Sequence, residues 1–192
     1  MSQSSVTRKR QHFGRDILET VVLTLLLVIV IRFTVQHYYV SGPSMEPSLH
    51  NHEYILVDKV SYLLHAPERG DVIVFHYPLD TSVDYVKRII AIPGDTISVV
   101  SQTVTVDGVT LSEPYINKDD PFNPYPAIKN RVMASNEYFV MGDNRGNSSD
   151  SRDWGTVPRQ DIVGRAMLVF WPFGANNFGL LPGESSVFAK VK

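Results

Sequence analysis

The sequence predicts a mainly β protein, an antiparallel β-sheet domain preceded by one N-terminal transmembrane helix. Three observations carry this expectation. The stretch from Ile17 to Val35 is dominated by Leu, Val and Ile. From residue 54 onward, short β-branched segments alternate with turns, and no stretch there has a helical period. Asp107-Gly108, set between TVTV and VTL, is a two-residue hairpin signal.

The N-terminal element comes first in the chain. Arg8, Lys9, Arg10 and Arg15 precede it against a single acid, Asp16. Thr20 to Ile31 carries no charge, and Glu19 and Arg32 bracket it. A span needs about 20 residues. Ile17 to Val35 supplies that length when Glu19 and Arg32 reach toward the two interfaces, and Tyr38 and Tyr39 then fall at an interfacial aromatic belt. A cleavable secretory signal is one rival, but the bulky HYYV that follows offers no small-x-small site. A buried core helix is another, but the run is apolar on every side rather than amphipathic. The basic tail keeps the N-terminus in the cytoplasm and sends residues from about 38 onward to the outer side.

The β elements follow in order: 54–60, 71–77, 84–92, 96–100, 103–106, 109–111, 137–141 and 164–171. Gly70-Asp71, Gly94-Asp95 and Gly142-Asp143 each mark a turn at a strand edge. Residues 116–132, rich in Pro, Asn and charge, read as a surface excursion, either a cover over part of a cleft or a plain long loop.

Composition narrows the function classes. The chain has 192 residues, 43% hydrophobic and 20% charged, enough for one packed domain plus an appendage. Its net charge of −2 argues against a general nucleic-acid binder. With no cysteine, disulfides, thiolate catalysis and Cys-based zinc sites are excluded.

Three segments hold candidate reactive groups. SGPSMEPSL (41–49) has the composition of a linker, and any chemistry there requires a base for one of its serines. None of the six histidines sits in a catalytic-histidine motif, and neither a G-x-S-x-G elbow nor an H-E-x-x-H helix is present. In DYVKRIIAIPGD (84–95), strand alternation puts Tyr85, Lys87, Ile89 and Ala91 on one face. Lys87 is then either a sheet-edge lysine with its ammonium in water or a desolvated lysine whose lowered pKa makes it a base. MGDNRGNSSDSRDWGTVP (141–158) fits a solvated polar loop, a calcium loop with failed EF-hand spacing, or a wall of arginine–carboxylate pairs.

Taken in order, the membrane segment, SGPSMEPSL, RGDVIVF (69–75), YVKRIIAIPGD (85–95) and GDNRGNSSDSRDWG (142–155) resemble the bacterial type I signal peptidases of the leader peptidase family. These are membrane-anchored serine proteases with a Ser-Lys dyad. The likeness spans about residues 15 to 172, and its specificity lies in the ordered set of motifs rather than in any one. It implies a largely antiparallel β fold and an endopeptidase that removes N-terminal signal peptides from exported preproteins after small-x-small sites, through an acyl-enzyme and without a cofactor or metal. It implies membrane lipid and a nearby secretion translocon as partners, with no role for nucleic acid. The expected organisation is a cytoplasmic basic tail (1–16), a transmembrane anchor (17–37) and an extracytoplasmic β-rich serine protease domain (38–192). A small loop or cap insertion falls around 112–135. The short interval between the PGD and GDNR elements keeps any second domain small. The expected location is the cytoplasmic membrane, crossed once.

Residue by residue, the resemblance makes Ser44 the nucleophile, Lys87 the general base and Ser148 the group that orients that lysine. It pairs Arg88 with Asp143 and Asp150 with Arg152, and puts Met45, Tyr85 and Val86 near the substrate. Three positions depart from the family pattern. Gly42 replaces a serine that donates to the oxyanion in the best-known Gram-negative enzymes, Ala91 replaces a common glycine, and Ser48 replaces a usual threonine. The first leaves the Ser44 backbone N–H as the oxyanion donor, with Gly42 permitting close approach of backbone to substrate. Two alternatives compete: a self-cleaving repressor-type Ser-Lys peptidase and a non-catalytic, membrane-anchored peptide-binding β-domain.

Overall fold

The computed structural model describes residues 4–116 and 125–191. Helix α1 (Ser4–Thr34) leads the chain, and its segment Arg15–Thr34 is long and apolar enough to cross a membrane. No described part of the protein covers this segment, and Leu23, Leu25, Leu27 and Ile31 are all more than half exposed. The hydroxyls of Thr20 and Thr24 donate to the carbonyls of Asp16 and Thr20, so neither is left unsatisfied on an apolar surface.

The helix stops at Thr34, and β1 (Val35–Tyr39) begins at the next residue. Val35–His37, expected inside the anchor, therefore belong to the sheet. The reason is a partner distant in sequence. β2 (Tyr54–Asp58) pairs with β1 along its whole length, and the Lys59 N–H caps the Thr34 carbonyl at 3.0 Å.

After the one-turn helix α2 (Ser61–Leu64) come β3 (Val72–Tyr77) and the long β4 (Asp80–Ala91). A small meander follows: β5 (Thr96–Val100), β6 (Thr103–Val106) and β7 (Val109–Thr110), with the Asp107-Gly108 turn between the last two. Asp107 and Gly108 both have positive φ, at 49° and 76°, as a two-residue turn of this class requires. Further along are β8 (Ile128–Val132), β9 (Glu137–Met141), the one-turn helix α3 (Ser151–Trp154), β10 (Val157–Pro158), β11 (Ile162–Trp171) and β12 (Gly179–Leu180).

The strands form two antiparallel sheets. The larger runs β1-β2-β11-β3-β4-β9-β10, with β12 added on β11, and the smaller runs β7-β6-β5-β8. The fold is mainly antiparallel β behind one apolar helix, as expected. The excursion expected over 116–132 is corrected at its C-terminal end, where Ile128–Val132 pairs with β5. Its sequence, IKNRV, lies at a sheet edge with Lys129 and Asn130 exposed, so it lacks the apolar alternation that marks a strand. Residues 117–124, the middle of the expected cap, lie outside the described residues.

Two core clusters brace the region that matters for chemistry. Val40, Met45, Leu49, Ile55, Val74 and Val169 pack beneath the 41–49 loop. Ile73, Phe75, Ile89, Tyr138 and Val140 fix the β3-β4-β9 part of the sheet.

Candidate active site

Ser44 sits in a turn that the core holds from below. Glu46 N–H donates to the Pro43 carbonyl at 3.0 Å, and Leu49 N–H to the Met45 carbonyl at 2.9 Å. Met45 and Leu49 are buried at 1% and 0% exposure, so hydrophobic burial anchors the turn on either side of its polar residues. Met45, expected beside the substrate, is thus part of the core and does not line the cleft. Its side chain leaves the turn on the sheet side.

Lys87 lies in β4 opposite Ile73 of β3. The next residue, Arg88, is the first to pair with β9, through Met141. Lys87 therefore stands where the sheet loses its β9 neighbour and the chain after Met141 turns over it. Lys87 is 4% exposed. Its Nζ donates to Ser44 Oγ at 2.8 Å and to the Val86 carbonyl at 3.0 Å. Burial lowers its pKa from the ordinary 10.5 to about 8. Asp150 and Asp143 pull the value upward and Arg152 pushes it down, but desolvation is the largest effect. Of the two fates open to this lysine in sequence, the structure has the desolvated one. Among the described residues no histidine bonds to this pair, and four bond elsewhere: His76 to Asp84, His50 to Glu53, His52 to Tyr39 and His65 to the Ala66 carbonyl.

The loop 142–150 forms a hydrogen-bonded wall around this pair. Arg88 and Asp143, each 1% exposed, make a bidentate ion pair at 2.8 and 2.7 Å. Arg88 also donates to the Gly70 carbonyl and to Ser48 Oγ, so one guanidinium ties three loops together. Asp150 accepts from Arg152 through both carboxylate oxygens and from the Gly142 N–H at 3.0 Å. Both pairs expected from sequence are present. With these carboxylates committed to arginines, the segment is the ion-paired wall among its three possible readings.

Ser148 is brought to the same place but not into the expected contact. It is 4% exposed, and its Oγ has no hydrogen-bond partner among the described residues. A Cβ added to Gly142 would come within 2.3 Å of both Ser148 Oγ and the Ser44 carbonyl oxygen. Gly142 is therefore glycine because two segments meet on its backbone. Gly42 differs. It has φ of +96° with open space around it, and its N–H donates to Asn51 Oδ1 at 2.9 Å.

A cleft of about 380 Å³ opens beside Ser44 and Lys87. Its walls are Tyr38, Tyr39, Val40 and Ser41 on one side and Val83 through Val86 on the other. Tyr85 stacks on Tyr77 at 4.6 Å between centroids, and Asp84 is bonded to His76 at 2.6 Å. Both walls are backbone edges. β1 ends the large sheet, and β4 before Arg88 is paired only with β3.

Sequence reasoning missed three polar residues of the site: Asn51, Asn144, and Glu113 as the buried bidentate partner of Arg145. Each reaches across to a segment with no local signal pointing to it. Glu113 is 32 residues from Arg145 and Asn144 is 101 from Pro43.

Comparison with known proteins identifies the family. The family model described as "Signal peptidase, peptidase S26" matches residues 14–171. A probable signal peptidase I-1 of Synechocystis is 37% identical over 98% of this chain and 97% of its own length. Signal peptidase I of Leptolyngbya laminosa is 37% identical over 81% of this chain and 78% of its own. Signal peptidase IB of Staphylococcus aureus is 35% identical over 86% and 93%. A crystal structure of a signal peptidase I from Enterococcus faecalis, 30% identical, covers 53% of this chain and 97% of its own with a TM-score of 0.43. With the family model matching most of its length and curated relatives 35–37% identical over 81–98% of it, the chain belongs to the signal peptidase family, peptidase S26, a family of serine peptidases that remove signal peptides.

Proposed function

We propose that this protein is a membrane-anchored endopeptidase that cleaves exported preproteins after small-x-small sites, with Ser44 as nucleophile and Lys87 as general base. The observation that carries the reading is the buried Lys87 Nζ at 2.8 Å from Ser44 Oγ, with no histidine bonded to either among the described residues.

The chemistry follows from that geometry. As an ammonium, Lys87 donates to Ser44. Once neutral, its lone pair accepts the Ser44 proton and the direction of the bond reverses. Ser44 Oγ attacks the scissile carbonyl carbon, and the developing oxyanion accepts from the Ser44 N–H. The Lys87 ammonium returns its proton to the leaving amine as the peptide bond breaks. The acyl ester left on Ser44 is then hydrolysed by a water that Lys87 deprotonates. Ser148, buried beside the pair with an unpartnered hydroxyl, is the proposed orienting group for Lys87.

The two free strand edges support binding of an extended peptide between them, as an added strand. Tyr85 and Val86 line that path, and Met45 supports its floor from within the core. The cleft beside Ser44, walled by Tyr38, Val40 and Val86, takes the residues next to the cut. In this reading α1 crosses the cytoplasmic membrane once, its basic N-terminal end inside and the cleft outside. Lipid surrounds α1, and the secretion translocon delivers precursors nearby. Shared attachment to the bilayer raises the local precursor concentration, so short contacts suffice.

The test uses the full chain in detergent with a precursor bearing a small-x-small site. Cleavage after that site, lost in both Ser44→Ala and Lys87→Ala, is the expected result; undiminished cleavage by either variant refutes the dyad. Labelling of single cysteines introduced at Ser5 and Leu79 in intact cells checks orientation, with only the second reached from outside.

A further inference from the structure

Ser44 is gripped by a residue that none of the reaction steps above employs. Asn144 is 4% exposed and lies directly after Asp143, which Arg88 holds in place. Its side-chain Nδ2 donates to the Pro43 carbonyl at 3.1 Å, and its backbone N–H donates to the Ser44 carbonyl at 3.1 Å. One residue thus holds two consecutive carbonyls of the turn that carries Ser44. The Pro43 carbonyl also accepts from the Glu46 N–H.

The consequence follows from peptide geometry. The Pro43 carbonyl and the Ser44 N–H belong to the same planar, trans peptide unit and point in opposite directions. Drawing the carbonyl toward Asn144 turns the N–H the other way. The Ser44 N–H has no acceptor among the described residues. A carbonyl that already accepts two hydrogen bonds also polarises its peptide, which strengthens the N–H as a donor.

The rest of the site makes this N–H important. Gly42 has no side-chain donor, and its own N–H is already committed to Asn51. The oxyanion is therefore left with the Ser44 N–H as its main-chain donor. We propose that Asn144 is a positioning residue for the oxyanion: its side-chain amide fixes the Pro43–Ser44 peptide plane and so aims the Ser44 N–H at the developing charge. This inference rests on the Ser44–Lys87 reading and adds to it the group that sets the direction of its electrostatic stabilisation. The Asn144 Oδ1, buried without a partner, fits a side chain whose orientation is dictated by its donor end.

The experiment uses the detergent-solubilised full chain with Asn144→Leu, close in shape but without a donor, and Asn144→Ser as a second variant. Both retain the backbone bond to the Ser44 carbonyl. The readouts are kcat and KM on a precursor peptide, the midpoint of the pH–rate profile, the melting temperature, and inhibition by two matched peptides. One ends in an aldehyde, which adds Ser44 Oγ to form a hemiacetal whose oxygen occupies the oxyanion position. The other ends in a carboxylate and forms no bond.

The expected result is a fall in kcat of about 10²-fold, the scale of losing one oxyanion donor. KM, the pH midpoint and affinity for the carboxylate peptide stay near wild type, while aldehyde affinity weakens in step with kcat/KM. The inference is overturned if either variant keeps kcat within about twofold of wild type, or if aldehyde and carboxylate peptides weaken equally. Ser44→Ala run alongside separates the two levels. A dead Ser44→Ala with an active Asn144→Leu refutes this inference alone, whereas an active Ser44→Ala refutes the dyad beneath it.

Discussion

Lys87 Nζ lies 2.8 Å from Ser44 Oγ, although the two residues are 43 positions apart, and the lysine is almost wholly buried. Burial both brings the amine to the hydroxyl and removes the water that would keep it protonated. The rate should therefore follow Lys87 deprotonation. A profile of kcat/KM against pH rises with a midpoint near the Lys87 value of about 8 and then levels. Arg152→Met removes the one cation that pushes this value down and leaves Asp150 unpaired, so the midpoint moves to higher pH. A rate that is flat from pH 6 to 10 rules out Lys87 as the base.

The same burial has a cost in stability. The folded protein releases the Lys87 proton at about 8 and the unfolded chain at about 10.5, so between those values the unfolded state binds more protons. Stability from this group rises with pH across that window, by up to about 3 kcal/mol, and is absent below it. Lys87→Met, expected to be inactive, should therefore melt at a higher temperature than wild type at pH 7. That advantage should shrink as pH passes through the window. Calorimetry at three pH values measures both effects.

Arg88→Met leaves the Asp143 carboxylate buried without a cation and frees the Gly70 and Ser48 acceptors. The expected loss is about 3–5 kcal/mol in urea unfolding. Asp143→Leu alone costs a similar amount, and the double variant Arg88→Met/Asp143→Leu loses clearly less than the two together, because neither charge is then stranded. Strict additivity of the two single losses contradicts this account.

Two glycines near Ser44 are predicted to behave differently. Alanine at Gly142 forces its Cβ against the Ser44 carbonyl and Ser148 Oγ, displacing the nucleophile turn. Activity should fall by about 10²-fold or more. Alanine at Gly42 meets open space and pays only for its left-handed backbone, about 1–2 kcal/mol. It should retain a larger share of wild-type kcat than Gly142→Ala. The reverse order contradicts the packing described here.

What the sequence revealed was the part encoded locally or by ordered motifs. The hairpin at Asp107-Gly108, the buried runs of β3, β4, β9 and β11 and the apolar helix are local patterns, and each is present. Ser44, Lys87 and the two arginine–carboxylate pairs came from motif order, and the fold brings each pair into contact. What escaped notice depends on distant partners. β1 is a strand only because β2 lies beside it, and β8 is a polar edge strand without alternation. Asn144 and Asn51 are ordinary loop residues until the chain folds them onto Pro43 and Gly42. Ser148 Oγ meets the Ser44 carbonyl over Gly142, but the orientation of its hydroxyl is not something spacing encodes.

The direct passage from Thr34 into β1 has a mechanical meaning. No flexible hinge separates the proposed anchor from the sheet, since the Lys59 N–H closes the last turn of the helix and β2 zips onto the very next residue. The last turn of the helix and the first wall of the cleft are thereby joined directly. Under the proposed anchoring, Ser44 is then held at a set height above the bilayer, so a precursor anchored in that bilayer is measured as well as read. In that proposed arrangement, how far its cleavable bond stands from its own buried segment becomes a selection criterion in its own right, separate from the side chains around the bond.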